Sequence, residues 1–319
     1  MKAPNLIFKA LLGATIACFV IAGCKKKDDP APTPNPTNNT STETTQQTLR
    51  SSDHSNVDNE SNQAMDEANT AMSEVSTTRG VQSVCGAVID SSQKAMGIIK
   101  LNYDSTIVCS GKKRGGQIVI QLPYSSGTIT TWSTQGAVAT LTFNNYKVTY
   151  VSTGKKLTFN GTHSVKNENG GGWVELYFLG QPIVYKVRAN MEITFEDGTT
   201  RSWHSAIKRT LENVSGVLKS SVISDTSTTD YPSLAFWGVD RYGEEFYIDM
   251  PTDFSYKIVD PANCIFKPTG QLFFHWSTKV LHITYGVNAD GTVATTCPYG
   301  YKFEWTDLQG TPQQIVVSY

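Results

Sequence analysis

The chain has 319 residues, 39% of them hydrophobic and only 17% charged, with 27 basic side chains against 28 acidic ones. That balance excludes a nucleic-acid binder drawn to phosphate by bulk positive charge, and the charged fraction lies below the roughly 25% usual in a soluble domain. Abundant threonine, with 14 Tyr, 13 Phe and 6 Trp, favours strands over helices.

Residues 1–23 read as an export signal. Lys2 and Lys9 supply its positive start, and Leu11 to Ala22 is an apolar run too short to remain as a membrane-spanning helix. The run ends in Ile21-Ala22-Gly23-Cys24, which resembles the bacterial lipobox; the resemblance implies cleavage before Cys24 and a diacylglycerol on its sulfur. Buried acyl chains contribute about 0.8 kcal/mol per methylene and hold a protein on a membrane without a spanning helix. Lys25-Lys26-Lys27-Asp28-Asp29 follows. The Lys-Asp-Asp within it resembles the signal that carries Bacteroidetes-type lipoproteins to the outer face of the outer membrane. It implies a lipid-anchored, surface-exposed address, with the periplasmic face as the alternative. Loss of Lys2 and Lys9 leaves 25 basic side chains against 28 acidic, a slightly acidic mature chain.

Residues 24–56 contain little besides Pro, Thr, Asn, Ser and Gln after the charged start. Such a segment buries too little apolar surface to offset its backbone entropy, so a disordered tether is expected. Residues 57–79 carry Ala64, Met65, Ala68, Ala71, Met72 and Val75 at spacings of three and four, the stripe of a short amphipathic helix capped near Ser61.

Residues 80–319 alternate apolar and polar in stretch after stretch, as half-buried strands require. In the longest, Met191, Ile193 and Phe195 oppose Glu192, Thr194 and Glu196 until Asp197-Gly198 turns the chain back through Arg201, Trp203 and Ser205. Asn160-Gly161, Asn169 to Gly172 and Asp290-Gly291 punctuate other pairs. Hairpins without crossover helices predict an all-β, antiparallel fold, either a sandwich or an elongated twisted sheet.

With Cys18 in the signal and Cys24 lipidated, Cys85, Cys109, Cys264 and Cys297 remain, and an even number in an exported chain predicts disulfides. Of the three connectivities, Cys85–Cys109 and Cys264–Cys297 each bracket one compact strand group. An alternating strand, a Tyr, a Cys and a second strand recur at both ends of the domain, which suggests related modules at its two edges. Neither the cysteines nor the five histidines are spaced as metal ligands, so no metal or cofactor is expected.

Ile99 to Tyr103, Cys109, Lys113 to Ile118, Asn145 to Val148, Asn160 to Asn167 and the Cys264 to Cys297 tail resemble a group of β-rich Bacteroidetes lipoproteins. The resemblance spans residues 60 to 319 and implies an exported, anchored protein; it carries over no catalytic residues. Tyr103-Asp104-Ser105 departs from the group, which tends to place a glycine after the aromatic.

No enzyme motif emerges. Asn213-Val214-Ser215-Gly216 lacks the first glycine of a nucleophile elbow, and Gly111 to Gly116 lacks the ending of a phosphate loop and reads as a charged hairpin turn. Glu192 with Glu196, and Glu245 with Tyr247 and Asp249 near Asp240, are the carboxylates a glycosidase would draw on. Indoles provide platforms for sugar rings and anchors for interfaces. Trp173, expected to begin a strand after a glycine-rich tip, and Trp132, in a Ser/Thr-rich hairpin region, are the candidate ligand-binding residues. The sequence therefore points to a non-enzymatic binding or envelope-interaction module. Its expected partners are a membrane, through the lipid, and a glycan or an envelope protein; nucleic acid is not among them. A polysaccharide hydrolase and an adhesive subunit using an open sheet edge are the alternatives.

Overall fold

The computed structural model describes residues 40–75, 84–125, 127–226, 234–257, 268–307 and 309–318. The export signal, Cys24, the first part of the tether and Cys264 lie outside these residues. Helix α1 runs Thr40–Val75, 36 residues. Ala64, Met65, Ala68, Ala71 and Met72 of the expected stripe are buried on it, but the helix begins well inside the segment whose composition predicts a tether, so Ser61, the expected cap, lies within it. No described helix is long and apolar enough to cross a membrane.

The rest is antiparallel β-structure. The strands are β1 (Ala87–Asp90), β2 (Ile98–Tyr103), β3 (Val108–Cys109), β4 (Lys112–Gln121), β5 (Tyr124–Ser125), β6 (Thr128–Ile129), β7 (Val138–Tyr150) and β8 (Lys156–Asn167). After a short helix, α2 (Trp173–Phe178), come β9 (Ile183–Phe195), β10 (Thr200–Val214), β11 (Val217–Ser224), β12 (Leu234–Val239), β13 (Glu245–Asp249) and β14 (Phe254–Lys257). The last are β15 (Gly270–Trp276), β16 (Lys279–Val287), β17 (Gly300–Thr306) and β18 (Pro312–Ser318). Sixteen of them form one sheet in the order β1-β2-β4-β7-β8-β9-β10-β12-β13-β15-β16-β17-β18, with β3, β11 and β14 attached beside it; β5 and β6 pair separately. Of the two architectures expected, the single extended sheet is the one observed.

One face of this sheet packs on α1. Along β9, Ile183, Tyr185, Val187, Ala189, Met191, Ile193 and Phe195 are all buried, and the residues between them face the other way. Helix side chains meet partners from one half of the sheet and then the other. Arg50 reaches Asp240 and Glu244 in the β12–β13 turn, Ser61 meets His163 on β8, Asp66 pairs with Arg209 on β10 at 2.9 Å, and the Tyr103 hydroxyl on β2 donates to Glu67 at 2.6 Å. The helix is thus the filling that a broad, curled sheet needs to bury its inner face.

Two turn expectations fail for local reasons. Asn160-Gly161 sits inside β8. There Asn160 Oδ1 accepts the Asn145 N–H at a bulge in β7, and Gly161 lets the β9 backbone approach so closely that a Cβ would stand 2.2 Å from the Asn190 carbonyl oxygen. The expected charged turn at Gly111–Gly116 is mostly strand β4. Its Lys112 pairs with Glu60, and its Arg114 lies within 3.8 Å of Glu60 and 3.6 Å of Glu67. The basic run is a docking strip for the acidic helix, not a solvated loop.

Candidate functional site

The face of the sheet turned away from α1 carries a ladder of rings. His204 on β10 is paired in register with Trp237 on β12, Trp237 with Tyr247 on β13, and Tyr247 with His275 on β15. Registered cross-strand neighbours stand about 5 Å apart, close enough to stack. The His204 and Trp237 rings lie 5.8 Å apart at 21°, and those of Tyr247 and His275 lie 4.3 Å apart at 10°.

A second row adjoins the first. Asp249 is registered with Phe273, Phe273 with His282 on β16, and His282 with Glu304 on β17. Phe273 and His282 approach to 4.5 Å between centroids. Polar groups sit beside the rings: Asp249 lies 2.9 Å from His275 Nε2, and Glu304 lies 3.5 Å from His282 Nδ1 and 2.9 Å from Lys302. Partial burial lowers the pKa of His204, and partial burial lowers that of His282 against the opposing pull of Glu304. Tyr247 is 42% exposed, and Trp237, His275 and His282 are half-buried. The surface is a shallow aromatic strip edged by carboxylates, with the chemistry to stack on flat apolar faces and accept hydrogen bonds at its border.

The residues singled out from sequence go elsewhere. Trp132 is buried and stacks on Tyr185 at 5.6 Å, so it is a core residue and presents no platform. Trp173 opens helix α2, where a strand was expected; it is half-buried against the core and 5.9 Å from Tyr177. Glu192 lies on β9 while Glu196 falls just past its end in the β9–β10 turn, and Glu245 and Asp249 share one face of β13, four residues apart. That spacing places Glu245 and Asp249 ~13 Å apart along the strand, beyond the roughly 5 to 10 Å of a glycosidase pair. Asp240 is buried in the Arg50 ion pair. Ser215 lies in the β10–β11 turn, where the Gly216 N–H donates to Asn213 Oδ1 at 3.0 Å.

His54, expected in the tether, is buried on α1 against Phe236 and Phe274. No cluster of three or more His, Cys, Asp or Glu suited to a metal ion occurs among the described residues. Cys85 and Cys109 form a disulfide with a Cα separation of 6.1 Å, and Cys297 is also disulfide-bonded. The two thiol regions border opposite edges of the sheet, beside β1–β4 and before β17.

A sequence signal for the ladder exists. Phe236-Trp237, Phe246-Tyr247 and Phe273-Phe274-His275 are runs of adjacent rings. Since neighbouring side chains on a strand point to opposite faces, each run must place a ring outside. No family model, curated protein or solved structure matches this chain.

Proposed function

We propose that the protein is a lipid-anchored, non-enzymatic binding module of the outer membrane, displayed at the cell surface, and that the outer ladder is its ligand face. The anchor reading rests on the Ile21 to Cys24 motif and the Lys-Asp-Asp after it. The observation that carries the binding reading is the registered row His204, Trp237, Tyr247 and His275 on the face of the sheet turned away from α1. Two face-stacked ring pairs set in register across four strands, with carboxylates at the margin, suit the apolar faces and hydroxyl rims of a glycan.

The test is a glycan array probed with the soluble Cys24→Ser chain, followed by Trp237→Ala and Tyr247→Ala. Glycan binding that both substitutions weaken at least tenfold, with unchanged thermal melting, is the expected result. Binding to no glycan on the array sinks the glycan reading. For the anchor, metabolic labelling with a fatty acid must be lost in Cys24→Ser, and protease added to intact cells must release the domain.

A further inference from the structure

The two halves of α1 are held by different forces. From Val57 onward the buried side chains include Val57, Ala64, Met65, Ala68, Ala71 and Met72. Between residues 45 and 56 the only apolar side chain is Leu49, half-buried, while the buried ones are Gln47, Arg50, Ser51, Asp53 and His54. This half is also poor in helix-favouring residues, with Ser and Thr prominent. Its helical state therefore depends on its seat.

The seat is built by the sheet without help from the helix. Asp240 Oδ1 accepts the N–H groups of Tyr242 and Glu244 at 2.9 and 3.0 Å, which fixes its carboxylate. Arg241 lies over the Phe195 ring at 3.5 Å and Arg201 over the Phe246 ring at 4.2 Å. Into this frame Arg50 places its guanidinium between the Tyr242 and Trp276 rings, 5.2 and 5.1 Å away, and 2.6 Å from Glu244 and 3.1 Å from Asp240. Asp53, almost one turn later, meets Arg241 Nε at 2.8 Å. The fit is incomplete: Arg201 Nε and Nη2 and Arg50 Nε and Nη1 are buried with no hydrogen-bond partner among the described residues. Such groups lower the net gain from docking.

We propose that residues 40–56 are a releasable latch, which unseats while residues 57–75 stay docked, and that the vacated seat is a receptor for a helix presenting an Arg and an Asp three residues apart. The resident occupant is the chain's own segment, and the occupant in trans is the same segment of a second copy. The receptor lies on the inner face of the sheet and is independent of the outer ladder.

Hydrogen exchange on the full Cys24→Ser chain tests the latch. Amides of 45–56 are expected to exchange at least 100-fold faster than those of 57–72, and Arg50→Ala is expected to accelerate 45–56 alone. One common rate for both halves, in wild type and Arg50→Ala alike, overturns the latch. A fluorescent peptide of residues 40–56 tests the receptor. It is expected to bind the Arg50→Ala/Asp53→Ala chain at least tenfold more tightly than the wild-type chain, whose own segment competes. Adding Tyr242→Ala and Glu244→Gln to that chain is expected to abolish binding. Failure to bind the vacated chain, or binding unaffected by the last two substitutions, overturns the receptor.

Discussion

Asp53 and Arg241 form a buried contact, 2.8 Å from carboxylate to Nε, between the helix and the tip of the β12–β13 hairpin. Burial nevertheless outweighs the pull of Arg241 and Arg201, and the Asp53 pKa is raised from 3.8 to about 6. The carboxyl thus favours its protonated form more in the folded protein than in the unfolded chain. Its contribution is complete below pH 3.8 and disappears as the pH rises through about 6. Between those limits the difference is about 3 kcal/mol. Asp53→Asn is expected to remove this part of the pH dependence, read from urea midpoints at pH 4.5, 6 and 7.5. An unchanged profile counts against the assignment.

His163 acts in the opposite direction. It is buried between Phe143 and Trp203, and desolvation lowers its pKa from 6.5 to about 3. The unfolded chain takes up this proton first, so stability falls by about 1.4 kcal/mol per pH unit as the pH drops below 6.5. His54, also buried, shifts in the same direction. His163→Phe is expected to flatten the acid limb of the stability curve between pH 6 and 4. Circular dichroism during acid titration checks this, and an equally steep limb in the variant refutes it.

Trp132→Ala should destabilise the domain by about 3 to 5 kcal/mol, the usual cost of a large core-to-alanine change, because its indole is buried and stacked on Tyr185. Trp237→Ala, on the half-buried outer face, should cost far less. Chemical denaturation of the two variants side by side distinguishes a core ring from a surface ring.

The Cys85–Cys109 bond closes a loop with a sequence separation of 24. Loop entropy assigns it about 3.5 kcal/mol, acting on the unfolded chain. The double substitution Cys85→Ser/Cys109→Ser should lower the urea midpoint by that equivalent and leave the far-ultraviolet spectrum unchanged.

Strand alternation made the antiparallel sheet legible, and Asp197-Gly198 marked the β9–β10 turn, where the Gly198 N–H donates to the Phe195 carbonyl oxygen. The first half of α1 was not legible, because local composition says nothing about the distant seat formed by Asp240, Arg241 and Trp276. The outer ladder was missed for a related reason: alternation tells which residues share a face, whereas stacking needs the register between strands. Trp132 shows the converse, since a polar neighbourhood in sequence does not make a residue exposed. Lys112 and Arg114 look like solvent charges until the helix carboxylates opposite them are known.

The placement of α1 also orders events in time. Nearly every strand pairs with a close neighbour in sequence, so the sheet can grow by successive hairpins as the chain emerges. The helix cannot follow that schedule. It stands ahead of all the strands, yet its partners extend to Asp240 on the β12–β13 turn and Trp276 at the end of β15. Its first half must therefore wait for partners made much later, whereas Glu60 and Glu67 meet Lys112 and Tyr103 on strands made soon after the helix.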